Sequence, residues 1–252
     1  MTEPEILSQG GRALVWVTMY LVAWILMGVS CEVGLPGDCR RASDPLEVLT
    51  ELPVLLAFSL AQAWLCDVTD EKRFTALAPK VYFPAVLVVS ALLISAFSRI
   101  KELRDLRETD DGGEPFDDGE IRPLHIVVTV CMLVIVALGI GWHFLEAWRL
   151  LPGAHMISGL QGRQAFADPP EENPLRDYLM SRMMIVMYLL LYIIFVWLQG
   201  GGWGYHYILL SWVLSLMSRF TGTISVLWLA ITTGVFLQGI GAYSVRFLCF
   251  HT

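Results

Sequence analysis

Charge is scarce in this sequence. Only 16% of its 252 residues are charged, against roughly 25% in a soluble domain whose surface has to be solvated. Lysine occurs only as Lys72, Lys80 and Lys101, none at the centre of an apolar run, which excludes a retinal-type Schiff base. No Lys-Ser or Lys-Thr follows the glycines of QGGGWG, no strand precedes them, and no HExxH or regular arginine ladder occurs anywhere. A P-loop, a dinucleotide turn, a zinc-protease helix and a voltage sensor are thereby excluded. With a net charge of −7, no nucleic-acid partner is expected.

What the sequence has instead is uncharged length. Ala13–Ser30, Leu52–Cys66, Val81–Ser98, Pro123–Leu145, Met183–Ser218 and Phe220–Val245 are 18, 15, 18, 23, 36 and 26 residues without Asp, Glu, Lys or Arg. About 20 apolar residues cross a ~30 Å hydrocarbon core as a helix. A soluble helix is rarely uncharged on every face for so long, and a mean hydropathy of +0.59 agrees with a chain surrounded by lipid. The 36-residue run would make one helix of roughly 54 Å, so its glycines at Gln199–Gly204 are expected to turn a helical hairpin, glycine accepting the positive φ a tight turn needs.

The fold class expected is all-α, a polytopic transmembrane helical bundle of about seven spans: 13–30, 48–67, 81–98, 123–146, 179–198, 203–219 and 221–245. Six spans is the alternative if 203–219 stops short. The whole of 1–252 reads as one integral membrane domain, with an acidic extramembrane loop at 99–122 and a second at 147–178. The first span has no small-residue cleavage site and is followed by further spans, so it is expected to stay as an anchor.

Orientation is nearly balanced: placing the N-terminus inside puts nine Lys/Arg on the inner side and eight on the outer. Cys31 and Cys39 flank the loop CEVGLPGDC and would close a small disulfide in an oxidising compartment, leaving the N-terminus inside. The basic run after the third span, SRIKELRDLR, argues the other way. Cys66, Cys131 and Cys249 read as packing residues.

Ionisable groups near span ends are the candidates for a cavity or its mouth. Glu47 and Glu51 share a face one turn apart, Asp67 closes the second span, and His143 and Glu146 share a face at i,i+3. His206 is the one histidine that could pair with His143, and Gln238 belongs to a mildly polar stripe on the last span with Thr232, Thr233 and Ser244. No metal or cofactor is expected. Small-x3-small pairs at Ala57/Ala61, Ser59/Ala63, Ala91/Ser95, Ala137/Gly141 and Ala230/Gly234 point to close helix packing.

Many spans with little mass outside them, acids near the mouths and a polar last helix favour a small channel or transporter-like bundle for an unknown solute. A non-catalytic accessory or assembly subunit of a larger membrane complex is the second reading. A membrane enzyme acting on a lipid or isoprenoid, with Glu51, Asp67, His143 or Glu146 as acid or base, is the third, and the balance leans away from an enzyme. The expected partners are the lipid bilayer and either further copies of the chain or other membrane subunits.

Overall fold

The computed structural model describes residues 8–34, 45–77, 82–97, 123–149, 174–198 and 206–243. Among them there is no strand and there are eight helices: α1 (Gln9–Glu32), α2 (Pro45–Leu65), α3 (Glu71–Leu77), α4 (Tyr82–Phe97), α5 (Pro123–Arg149), α6 (Pro174–Leu198), α7 (His206–Ser215) and α8 (Thr223–Tyr243). Seven of them fall on the seven expected runs. The expected hairpin turn at 199–204 and both expected extramembrane loops, apart from their helical margins, lie outside the described residues.

By length and composition, α1 and α8 are the described helices able to cross a membrane, with a third crossing if the bent pair α3 and α4 counts as one span. The apolar part of α2, Leu49–Leu65, is shorter than a full crossing. α7 has ten residues, roughly 15 Å of helix.

Contacts fix the direction of every element. The Arg12 side chain of α1 donates to the Thr69 carbonyl in the turn after α2 at 2.7 Å, and the Trp16 indole donates to the Ser59 carbonyl at 3.1 Å. Phe83, early in α4, lies 5.9 Å from Trp16 ring to ring. His143 near the end of α5 meets Ser225 at the start of α8, and Tyr178 and Arg182 early in α6 meet Met217 and Leu65. At the opposite end Gly241 of α8 packs on Met27 of α1, and Gly239 on Ile208 of α7. The termini 9, 65, 82, 149, 174, 215 and 223 therefore share one end of the bundle, called here the near end, and the long helices alternate up and down without exception. α3 lies at the near end.

α8 is the hub, packed against α4, α7 and α1, and it is mostly buried, as a central helix has to be. Its approach to α4 is set by Gly234: a Cβ there would collide with the Leu87 carbonyl and the Ser90 hydroxyl. Ala91 and Ala230 beside it are fully buried. Of the expected small-residue pairs, Ser59/Ala63, Ala91/Ser95 and Ala230/Gly234 are thus inside the bundle, whereas Ala57, Ala137 and Gly141 face outward.

Around an apolar core, large apolar side chains also face outward, and several polar ones are buried. Leu14, Ile25, Val29, Val134, Leu138, Met184, Tyr188 and Leu191 are exposed, while Glu51, Gln62, Arg73, His143, Arg182 and Gln238 are buried. Such an arrangement exposes large contiguous apolar surface and is stable where the surroundings are hydrocarbon.

Candidate functional site

The near end holds two buried arginines. α3 begins where the exposed Asp70 carboxylate accepts from the Arg73 backbone N–H at 3.1 Å, a capping interaction. One turn of helix then points the Arg73 side chain inward, where it is 2% exposed. Its Nη2 donates to the carbonyl and hydroxyl of Ser218, both at 3.2 Å, while its Nε and Nη1 have no hydrogen-bond partner among the described residues. Arg182 on α6 is also 2% exposed. Its Nη2 donates to the Leu65 carbonyl at 2.7 Å, its guanidinium lies 5.3 Å over the Tyr178 ring, and its Nε is likewise without a partner. Burial lowers the Arg73 guanidinium to about 10, so it remains a cation at neutral pH.

Around them runs a connected set of hydroxyls. Ser218 donates to the Ser225 carbonyl and lies 2.9 Å from the Ser225 hydroxyl. The Ser225 hydroxyl in turn is 3.2 Å from His143 Nε2. His143 Nδ1 sits 2.7 Å from the Gly139 carbonyl, which requires the proton on Nδ1 and makes Nε2 the acceptor. The Tyr178 hydroxyl donates to the Met217 carbonyl at 2.8 Å. Asp67 pairs with Arg219, tying the turn after α2 to the turn after α7.

From this end a polar column continues into the bundle. Ser59, Gln62 and Cys66 follow one face of α2; Ser211, Ser215 and Ser218 follow α7 and the turn after it. Gln62 Nε2 donates to the Ser215 hydroxyl and, at 2.8 Å, to the Thr233 hydroxyl of α8. Several buried groups along it make no hydrogen bond among the described residues: Tyr20 Oη, Ser59 Oγ, Gln62 Oε1, Trp212 Nε1 and both amide atoms of Gln238. Buried polar atoms without partners are costly and uncommon.

No known family, characterised protein or solved structure matches this chain.

The candidates named from the sequence are dispersed. Asp67 and His143 do reach the near-end cluster, and Glu146 lies beside it, paired with Arg149 at 3.5 Å. Glu51 is buried but partnered, roughly 16 Å along α2 from Gln62. Gln238 is buried toward the far end of the bundle, beyond Thr233 on α8. The side chains of Glu47 and His206 lie outside the described residues, so the His143–His206 pair is outside them too. Both ring nitrogens of His143 are already occupied, and among the described residues no group of three or more His, Cys, Asp or Glu is placed to hold a metal ion.

Cys31 is disulfide-bonded, and its expected partner Cys39 lies outside the described residues, as does Cys249. Cys66 and Cys131 are free thiols. Cys66 is buried in the turn after α2, and burial pushes its thiol up to about 11, which leaves it a packing group rather than a nucleophile. Cys131 faces outward from α5 instead of packing inside.

Arg73 and Arg182 were not legible as site residues. In the sequence they are two among many basic residues flanking apolar runs. The available signal was the Tyr178-x3-Arg182 pair on one helix face, which places a cation over an aromatic ring one turn inside α6.

Proposed function

We propose that the chain is a multi-pass integral membrane protein, crossing seven times through α1, α2, α4, α5, α6, α7 and α8, and that it is a transporter-like bundle admitting a small polar solute to its interior. The observation that carries this reading is the unsatisfied polar column from Arg73 and Arg182 past Gln62 to Gln238, enclosed by helices whose outer faces are apolar. A solute with its own donors and acceptors supplies what these groups lack. The strict alternation of helix directions supports seven crossings; six result if α7 stops short. The disulfide-bonded Cys31 lies at the far end and the free Cys66 at the near end, which supports an oxidising far side and a cytoplasmic near end.

The test is flux. Liposomes containing only this protein are challenged in stopped-flow light scattering with gradients of urea, glycerol, sodium phosphate and sodium chloride. At least one solute should enter faster than into protein-free liposomes, and Gln62→Leu should reduce that excess severalfold. Equal rates with and without protein for every solute, or unchanged flux in Gln62→Leu, would overturn the proposal.

One feature favours a second reading, an accessory subunit of a larger complex. Met180, Met183, Met184 and Met187 form an exposed stripe on α6 at i, i+3, i+4 and i+7, and flexible thioethers adapt to a partner surface. Stable co-purification with another membrane polypeptide, lost on Met184→Lys, would support it.

A further inference from the structure

We infer that Arg73 and Arg182 together bind a phosphate-type oxyanion, carried either by a free solute or by a lipid headgroup. The two guanidiniums come from different elements and are anchored on the same seam. Arg73 holds Ser218 and Arg182 holds Leu65; Cys66, next to Leu65, contacts the Ser215 carbonyl one turn before Ser218. Tyr178, beneath the Arg182 guanidinium, holds Met217. Each arginine uses one nitrogen to fix itself to a backbone carbonyl, and three further N–H positions, Arg73 Nε, Arg73 Nη1 and Arg182 Nε, are left buried and unused.

Charge and shape both select the ligand. Arg73 and Arg182 make no ion pair with any described carboxylate: Asp67 is paired with Arg219, Glu146 with Arg149, and the exposed Asp70 caps α3. The Arg73 and Arg182 guanidiniums are thus both buried without a carboxylate partner among the described residues. An uncompensated buried cation is strongly unfavourable, and a phosphate-type anion supplies the missing counter-charge. A carboxylate offers two oxygens in one plane, enough for a single guanidinium fork. A tetrahedral oxyanion has oxygens enough for two donor groups, one supplied from α3 and one from α6. Arginine is also the side chain whose planar donor set matches phosphate.

This inference deepens the carrier reading by naming the class of solute, and it is tested by binding rather than by flux. The purified full-length protein in detergent is melted by tryptophan fluorescence with increasing sodium phosphate or sulfate, against sodium chloride at matched ionic strength. The measurement is repeated in phosphatidylcholine nanodiscs with and without phosphatidic acid. A ligand that binds only the folded state raises the melting temperature saturably. The expected result is a rise with phosphate but not with chloride. Arg73→Lys and Arg182→Lys, which keep the charge and lose the fork, should each need roughly tenfold more phosphate for the same rise, and the Gln variants should lose it.

A rise with phosphatidic acid alone, reduced in Arg182→Lys, identifies the headgroup as the source and upholds the site. Absence of any rise in the unmodified protein with phosphate, sulfate and phosphatidic acid overturns it, as does an unchanged response in both Lys variants. Binding without flux would retain the site and remove the carrier; urea or glycerol flux without anion binding would do the reverse.

Discussion

Asp67 shows how much one residue can carry at the end of α2. Its N–H bonds the Trp64 carbonyl at 3.2 Å while the N–H of Val68 reaches back to Ala63 at 2.8 Å, the two bonds of a Schellman ending. That geometry demands a left-handed residue, and Asp67 has φ of 52° where glycine is usual. The aspartate is kept because its carboxylate holds Arg219, an ion pair whose partners are about one-third exposed and so contributes modestly. Asp67→Gly should therefore relieve backbone strain as it removes the pair, and Asp67→Ala should remove the pair and keep the strain. The expected outcome is a lower melting temperature for Ala than for Gly, by about 1 kcal/mol of stability; equal melting would show that the left-handed conformation is not a constraint. Of the site, the sequence revealed residues whose chemistry is rare at that position in a chain, such as Asp67 and His143. It concealed Arg73 and Arg182, because whether a flanking arginine faces water or the interior depends on which helices from elsewhere in the chain cover it.

At the scale of elements, the positions of the apolar runs were legible, two of them to within two residues at each end. The run 81–98 became α4 at Tyr82–Phe97, and 221–245 became α8 at Thr223–Tyr243. Uncharged length is a local property, so no tertiary information is needed to see it. α3 was missed for the opposite reason: EKRFTAL has one apolar turn, buried through Phe74 and Leu77, and its helix is stable only because the bundle receives that turn. The Asp70 cap followed by Glu71 in the first turn was the one local sign. Small-residue pairs gave packing without partners, since Ala230/Gly234 and Ala137/Gly141 are alike in sequence, yet the first faces α4 and the second faces outward. Gly234→Val should accordingly destabilise the purified protein by roughly 1–3 kcal/mol through overpacking against the Leu87 carbonyl, visible in a detergent melt. Gly141→Val, where a Cβ meets nothing within 4 Å, should leave the melt within about 0.5 kcal/mol of the unmodified protein.

For the molecule as a whole, the outward-facing apolar side chains and the alternating helices together bear on how it is placed. If the near end is cytoplasmic, a fluorescent reporter that matures only in the cytoplasm should light when fused ahead of α1, and a periplasm-active phosphatase fused there should stay silent. The same phosphatase placed just after Gly34, at the end of α1, should be active. The reverse pattern would put Arg73, Arg182 and Arg219 on the oxidising side. The orientation was not legible in the charge count, because the expected topology sets nine Lys/Arg against eight, and Arg73 and Arg182 lie inside the bundle rather than in water.

The serine row of α7 has a consequence for how the polypeptide is made. Ser215 accepts from Gln62 of α2, and the same Gln62 amide donates to Thr233 of α8, so of the two helices joined to α7 in this way one is made long before it and one just after. A ten-residue helix is about half the length that crosses a bilayer by itself. On the proposed seven-crossing reading, α7 would enter the lipid only together with α8, and a nascent chain cut off at Phe220 is expected to leave its last helix outside.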